Sequence, residues 1–107
     1  MLTLPDTRTA AQCMRAIHHP LRKKILEYLD IEEVGTVTDI YISLRENQSW
    51  VSQHLWILRE VGILTTSKEG KYIYYSIDYD RLAYITDIAH EMNDTVQLLR
   101  KRTAKNE

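Results

Sequence analysis

Four side chains that can both donate and accept hydrogen bonds are crowded into six positions: Gln48, Ser49, Ser52 and Gln53. Amide and hydroxyl groups of this kind contact base edges and phosphate oxygens in nucleic acids. At 100° per residue, the two serines and Gln53 fall on one side of a helix together with Trp56. The spacing therefore predicts a polar helix face that is suited to hydrogen-bonding a ligand.

A helix with one buried face is needed to hold these groups in place. The apolar stripe opposite the polar side chains consists of Val51, Leu55 and Leu58. Asn47 is a good N-cap for this helix, and Gly62 lies just past its end, where a left-handed residue is favoured. We therefore expect a helix over residues 48–60.

Three further helices are predicted to come before it. Pro5-Asp6-Thr7 opens the first, with the aspartate or the threonine as its cap. Pro20 suits the first position of the second helix, because a proline lacks the N–H that would be unpaired there. Residues 30–35 then form a loop. Thr36-Val37-Thr38-Asp39 matches a capping box, which predicts the start of the third helix.

The period of the apolar residues changes after the polar helix. Residues 63–67 and 71–77 are rich in Ile, Thr and Tyr, which predicts two strands joined as a hairpin by Lys68-Glu69-Gly70. Helical spacing returns from about residue 80 to residue 102. The order α-α-α-α-β-β-α, mainly helical with a small β-hairpin, is that of a winged helix-turn-helix.

The predicted DNA contact combines the polar helix with the tip of the hairpin. Such a helix points its N-terminal turn into the major groove, and lysines at the hairpin tip contact phosphates. The predicted contact residues are Gln48, Ser49, Trp50, Ser52, Gln53, His54, Trp56, Lys68 and Lys71. Because few of them are basic, we expect a shallow salt dependence.

Several residues of this region also have a purely structural interpretation. His54 either contacts a phosphate or packs at the edge of the core. Trp56 either lies against the DNA backbone or covers the hairpin tyrosines, and covering is favoured because exposed tryptophans usually find a partner. Trp50 is expected to pack at the helix start. His18 and His19 are expected to form a turn and a cap rather than a ligand pair.

Two charged groups also have alternative interpretations. Arg22-Lys23-Lys24 either approaches phosphates or forms an ordinary polar helix face. On the last helix, a second group has the composition of a cation site, but a solvated helix face is the better interpretation. This second group consists of Asp87, His90, Glu91 and Asp94.

Composition limits what the chain can be. Its 107 residues suit one domain over 1–107, and 44% of them are hydrophobic. Lys plus Arg is 14 and Asp plus Glu is 15, which excludes a strongly basic coat but allows a local basic face. With Cys13 as the single cysteine, no internal disulfide is expected.

Two function classes are also disfavoured by the sequence. There is no apolar run of about 20 residues and no signal sequence, which predicts a cytoplasmic protein without a membrane contact. No Ser-His-Asp order, P-loop or metal-ligand spacing is recognisable, so we expect neither an enzyme nor a cofactor.

Three segments carry a resemblance to a known family. They are residues 16–26, which include His18-His19-Pro20-Leu21-Arg22, then 51–55 with 58–64, and then the hairpin residues 69–77. In this order they resemble the ArsR/SmtB family of bacterial winged-helix repressors, from the first helix to about residue 95. The resemblance implies a homodimer that is formed by the first and last helices and binds an operator with dyad symmetry.

The pattern of the last helix supports such a dimer independently. Its apolar residues recur at heptad spacing, and a lone helix of this length has no other surface against which to bury them. The first helix carries a shorter apolar stripe. The predicted interface residues are Ala10, Met14, Ile17, Leu82, Ile85, Ala89, Met92, Val96 and Leu99.

The chain departs from the family's metal-binding motifs. Members that sense thiophilic metals carry Cys-Val-Cys-Asp-Leu, whereas the matching positions here are Thr36-Val37-Thr38-Asp39-Ile40. Hydroxyls therefore replace both thiolates. The last helix has Asp87 and His90 three apart but no later histidine, so the zinc site of other members is not expected either. We predict no metal site.

The leading hypothesis is a dimeric, sequence-specific DNA-binding regulator of ArsR-like type, with repression implied by the resemblance. The alternative is a winged helix that binds a protein and has weak or no DNA binding, suggested by the net charge of −1 and the two tryptophans. Release from DNA would follow from a small molecule in the dimer seam, from an unrecognised metal, or from protein abundance alone.

Overall fold

A computed structural model describes the backbone of residues 4–106 and the side chains of residues 8–101. Its elements follow the predicted order of four helices, two strands and a final helix, so the predicted fold class is confirmed. The elements are α1 (Leu4–Ile17), α2 (Pro20–Glu32), α3 (Val37–Leu44), α4 (Gln48–Glu60), β1 (Leu64–Glu69), β2 (Tyr72–Ile77) and α5 (Tyr79–Asn106).

The starts of three helices follow from local capping chemistry. Pro20 is the first residue of α2, and the His19 ring caps this helix by accepting the Leu21 N–H at 3.2 Å. Thr36 and Asp39 form the predicted capping box at the start of α3. Asn47 Oδ1 accepts the Trp50 N–H at 3.2 Å and caps α4. Each cap satisfies a backbone donor that the helix leaves unpaired.

Other boundaries differ from the prediction. The helix α1 already includes Leu4, so the proposed Asp6 or Thr7 cap lies inside its first turn, where a proline is tolerated. The helix α2 continues three residues into the predicted loop and ends at Glu32, and its C-cap residue Glu33 has φ 71°. The helix α5 begins at Tyr79 and reaches Asn106, four residues past the predicted end.

The hairpin is longer on its first strand and tighter at its turn than predicted. Lys68 and Glu69 belong to β1, and Glu69 pairs with Tyr72, so the turn consists of Gly70 and Lys71. Gly70 has φ 61°, which a glycine adopts without strain. The three-residue connection expected from the sequence was wrong, because Lys68 and Glu69 are paired with β2 and belong to β1.

The hairpin is fastened to the helical body through a glycine. Tyr75 in β2 exchanges two backbone hydrogen bonds with Gly35, at 2.8 and 3.1 Å. Gly35 is buried, and a Cβ at this position would lie 3.0 Å from the ring of Tyr28. A side chain at position 35 would therefore press on Tyr28 of α2, so a glycine suits the loop that pairs with β2.

The core lies where α1, α2, α3, α4 and β1 converge. The fully buried stripe of α4, at 0% exposure, is the one predicted from the sequence: Val51, Leu55 and Leu58. Facing elements contribute Ile25 and Leu29 from α2, Ile40 from α3, and Ile63. This packing fixes the rotation of α4 about its own axis, and thereby selects the side chains that face solvent.

The two predicted interface helices already pack against each other within one chain. The helix α1 contacts α5. Among the described side chains of these two helices, the buried ones are Ala10, Cys13, Ala16, Ile85 and Ile88. Ala10 is 0% and Ile85 4% exposed in the single chain, whereas Met14 is 47% exposed. The buried face of α1 is therefore rotated from the predicted stripe toward its small residues, which allow close approach of α5.

Candidate nucleic-acid interface

One face of α4 is open to solvent along its whole length. We call it the reading face, and it consists of Gln48, Ser49, Ser52, Gln53 and Trp56, all exposed. It lies opposite the fully buried stripe of the same helix. The sequence placed Ser49, Ser52, Gln53 and Trp56 on one side of the helix, and the structure exposes all four, with Gln48 exposed at the N-terminal turn. Their amides and hydroxyls have the chemistry that base edges and phosphates require.

The turn before α4 sets the angle at which this helix leaves α3. Arg45 closes α3 with φ 53°, a left-handed conformation that non-glycine residues rarely adopt. The backbone N–H of Arg45 donates hydrogen bonds to the carbonyls of Tyr41 and Ile42. Two residues later Asn47 caps α4. Arg45 is exposed at this turn, and sequence analysis missed it because no glycine marks the sharp change of direction.

Both tryptophans of α4 are on the surface. Trp50 is 61% and Trp56 is 60% exposed, so the prediction that Trp50 packs at the helix start was wrong. Leu21 and Val51 fill the interior at that end of the helix, which leaves the indole of Trp50 outside. The exposure of Trp56 likewise disagrees with its interpretation as a cover for the hairpin tyrosines. Two large aromatic surfaces therefore lie beside the polar groups of one helix.

His54 is half-buried beside the buried stripe and is held by two neighbours. Arg22 Nε donates a hydrogen bond to His54 Nδ1 at 3.0 Å, and the His19 ring lies 4.4 Å away between centroids. Arg22 also donates to the Ala16 carbonyl at 3.1 Å. The Arg22 guanidinium therefore connects α1, α2 and α4. This contradicts the interpretation in which all of Arg22-Lys23-Lys24 approaches phosphates.

The surroundings of His54 favour its neutral form. Burial lowers the pKa of its imidazole from the usual 6.5, and electrostatic interactions with His19 and Arg22 lower it further. A neutral ring can accept the Arg22 hydrogen bond at Nδ1 while it carries a proton on Nε2. His54 is therefore a donor at Nε2 near neutral pH.

The hairpin places its basic residues at its exposed end. Lys68 lies in β1 opposite Ile73, and Lys71 lies in the turn with its Nζ 5.4 Å from the centre of the Tyr72 ring. Both lysines are exposed. Because β1 packs against α4, the hairpin is positioned by the helix that carries the reading face.

Cys13 is a buried contact between three elements. Its thiol donates to the Val61 carbonyl at 3.2 Å, just after α4. Burial raises the pKa of the Cys13 thiol, and the positive charge and hydrogen bond of Arg81 partly oppose this. The Arg81 side chain also lies against Gly62, whose φ is 84°. Arg81 thereby connects the start of α5 to the end of α4.

Over the part of the chain with described side chains, no group of three or more His, Cys, Asp or Glu residues is placed to hold a metal ion. Thr36, at the first family thiolate position, uses its hydroxyl for the α3 cap. Within the same described part, every helix is too short or too polar to cross a bilayer.

Comparison with known proteins identifies the group to which this architecture belongs. A model of the bacterial regulatory proteins of the arsR family matches residues 19–66, from the α2 cap through α4 into β1. An uncharacterized HTH-type transcriptional regulator of Methanocaldococcus jannaschii is 34% identical over 83 residues, which cover 78% of this chain and 93% of the relative. The chain belongs to the ArsR family.

Two further proteins are similar to this chain, one in structure and one in sequence. The crystal structure of the transcriptional repressor PagR of Bacillus anthracis superposes with a TM-score of 0.69 at 31% identity, covering 80% of this chain and 99% of that one. A cadmium resistance regulatory protein homolog of Staphylococcus aureus is 30% identical over 79 residues. These residues are 74% of this chain and 65% of the relative, so the match spans less than two thirds of that protein.

Membership establishes the general activity of the chain. ArsR-family proteins are DNA-binding transcriptional regulators, and the named relatives include several transcriptional repressors. The family is one of regulators and not of enzymes. The chain is therefore a DNA-binding regulator with a winged-helix fold, and the exposed face of α4 is its candidate interface.

Proposed function

We propose that this protein is a homodimeric, sequence-specific repressor that reads an operator with the reading face of α4. The observation that carries the proposal is the division of α4 into two faces. One face is fully buried, and the other exposes amides, hydroxyls and an indole. Such a helix can enter the major groove without unpacking the core that holds it.

Each group of residues has a separate task in this proposal. Gln53 and the two serines contact base edges, with Gln48 at the N-terminal turn. Lys68 and Lys71 at the hairpin tip contact phosphates beside the groove. His54 supports the site from behind, through Arg22, and helps to fix α4 against α2.

A second copy of the chain covers the apolar side chains that α1 and α5 leave exposed. Val96 and Leu99 on α5 are 50% and 53% exposed, and Met14 on α1 is 47% exposed. Leu82, Ala89 and Met92 are half-buried along the same side of α5. A pair of chains related by a two-fold axis buries this stripe and places two copies of α4 on one side of the dimer.

The signal that this dimer answers is not a thiophilic metal bound at the start of α3. Hydroxyls stand at both family thiolate positions, and neither is a good ligand for soft metals. The S. aureus relative is named for cadmium resistance, and this chain lacks the thiolates such chemistry favours. A small molecule that prefers one dimer geometry would release DNA without any metal.

The test begins with in vitro selection of binding sequences from random duplex DNA by the full chain. We expect a motif with dyad symmetry and binding by two chains. Gln53→Ala is expected to weaken binding to the selected site about 5- to 150-fold, the range for loss of one bidentate base contact. Gln97→Ala, an exposed amide on α5, is the matched control and should bind as the wild type does.

Other results would contradict the proposal. Selection that yields no motif, from a protein that is folded and dimeric, would favour the alternative of a protein-binding winged helix. The exposed Trp50 and Trp56 would then form its contact surface. Equal losses for Gln53→Ala and Gln97→Ala would exclude the reading face as the specific contact.

A further inference from the structure

A cavity opens directly beside the reading face. It has a volume of about 340 Å³ and lies between the first turns of α2, the turn after α3, and α4. Gln53 belongs to both the cavity and the reading face. A group bound in the cavity would therefore lie next to whatever the reading face contacts.

The charged pair in the cavity is loosely held. Lys24 Nζ lies 3.8 Å from Glu46 Oε1, and the lysine side chain is 56% exposed. Exposed pairs of this kind contribute little to stability, because water screens the two charges. Lys24 can consequently leave the carboxylate for a stronger anionic partner at little cost.

The two imidazoles of the cavity present donors. His19 Nδ1 accepts the Leu21 N–H, and His54 Nδ1 accepts the Arg22 Nε–H. A neutral imidazole that accepts at Nδ1 carries its proton on Nε2. Both rings line the cavity and retain an Nε2–H that can donate a further hydrogen bond.

Trp50 and Gln53 also line the cavity, and their indole and amide N–H groups are further donors. The lining thus offers one ammonium and four neutral N–H groups. The sixth polar side chain of the lining is Glu46, whose carboxylate can only accept hydrogen bonds. A phosphate group carries acceptor oxygens and a negative charge, and it matches this set of donors.

We propose that the cavity seats one phosphate of the DNA backbone, held by Lys24 and fixed by the N–H groups around it. This inference rests on the proposed function, because it places the phosphate beside the bases that Gln53 reads. Phosphate contacts of this kind set the register of a helix in the groove. Glu46 opposes the phosphate by its charge and so limits affinity that is independent of sequence.

Opposite substitutions at the two charged positions test the seat. The affinity for a selected duplex is measured as a function of salt for Lys24→Gln, Glu46→Gln and the wild type. Lys24→Gln should reduce the slope of log affinity against log salt by about 0.9 for each subunit. Glu46→Gln should tighten binding several-fold, since it removes the repulsion and keeps the shape of the side chain.

Lys23→Gln is the matched control, because Lys23 is exposed on the same helix but does not line the cavity. We expect a smaller change of slope than for Lys24→Gln. A purely structural role for Lys24 would lower the stability of the fold and leave the salt slope unchanged. An unchanged slope for Lys24→Gln, or weaker binding by Glu46→Gln, overturns the proposal.

A second arm identifies the source of the phosphate. Trp56→Phe leaves Trp50 as the single tryptophan, so its fluorescence reports on the cavity when inorganic phosphate is added to the protein alone. We expect a weak, millimolar response that Lys24→Gln abolishes. Tight binding of free phosphate that displaces DNA would overturn the backbone as occupant and make the cavity an effector site.

The two arms also separate failure of this inference from failure of the proposed function. If no duplex is selected, the proposed function fails, and a seat for DNA phosphate fails with it. If a duplex is selected and Gln53→Ala weakens binding, but neither Lys24→Gln nor added phosphate has an effect, then the phosphate seat alone is wrong.

Discussion

The helices α4 and α5 carry the same kind of apolar stripe but end in opposite environments. Along α4, Val51, Leu55 and Leu58 are 0% exposed, because α1, α2, α3 and β1 enclose them. Along α5, Ile85 and Ile88 are 4% exposed beside α1, whereas Val96 is 50% exposed. The spacing of apolar residues indicates that a helix face will be buried, but not whether its own chain or another will bury it.

The difference has an energetic meaning. Burial of a large aliphatic side chain contributes about 1.5–3 kcal/mol. For α4 this free energy is gained in folding the single chain. For Val96 on α5 it would be gained only if another surface covered this side chain, for example in association with a second chain. The following predictions separate the two kinds of burial, beginning with the largest effect.

Leu55→Ala is expected to lower the free energy of unfolding by about 2–5 kcal/mol, because it leaves a cavity in the enclosed face of α4. Urea denaturation measures this loss at a protein concentration that is held constant. Ile31→Ala is the control, since Ile31 is 77% exposed and its truncation should change stability by less than about 0.5 kcal/mol. Similar losses for both variants would show that the α4 stripe is not the core.

Val96→Asp is expected to weaken dimerisation at least about tenfold, which corresponds to about 1.4 kcal/mol. The charge would be buried by the partner chain while the single chain keeps its fold. Sedimentation over a range of concentrations gives the dissociation constant. Gln97→Asp places the same charge one residue away, off the stripe, and should leave dimerisation almost unchanged. Equal effects would argue against an interface along this side of α5.

Gly62→Ala acts where the two helices meet, at the end of α4 and against the start of α5. A left-handed residue with a Cβ costs about 1–2 kcal/mol, and here the Cβ would also lie 3.2 Å from Arg81 Nε. Gly70→Ala, at φ 61° with no atom within 4 Å of its Cβ, isolates the backbone contribution. Urea denaturation should show a larger loss for Gly62→Ala. If the losses are equal, the Arg81 contact adds nothing.

The smallest effect concerns His54, at the edge of the enclosed face. The pKa of His54 is lowered in the folded chain, so at pH values below about 6.5 this residue binds more protons in the unfolded chain than in the folded one. The stability that His54 contributes is complete above pH 6.5 and is lost as the pH falls through the folded-state pKa. His54→Gln should therefore show a weaker decline in stability between pH 7.5 and 5.5 than the wild type. An identical decline would mean that His54 does not titrate with folding.

Local chemistry made much of the fold readable from the sequence. Asn47 and the Thr36–Asp39 box mark helix starts by satisfying nearby backbone donors, so they act over three or four residues. The buried stripe of α4 follows from helical spacing alone, and the polar side chains opposite it had to face outward. The hairpin was placed correctly, but its turn was wrong by one or two residues, since strand register depends on pairing across the chain.

What the sequence could not give depends on contacts between distant segments. It offered Arg22, Lys23 and Lys24 as one basic run, yet Arg22 turns to His54, 32 positions away, and Lys24 turns to Glu46. It gave Ala10 and Met14 the same stripe, yet close packing of α1 on α5 encloses one and exposes the other. Periodicity and capping are properties of neighbouring residues and are written in the sequence. The cavity beside α4 and the exposed side of α5 exist only because separate helices pack at particular angles, which tertiary structure alone decides.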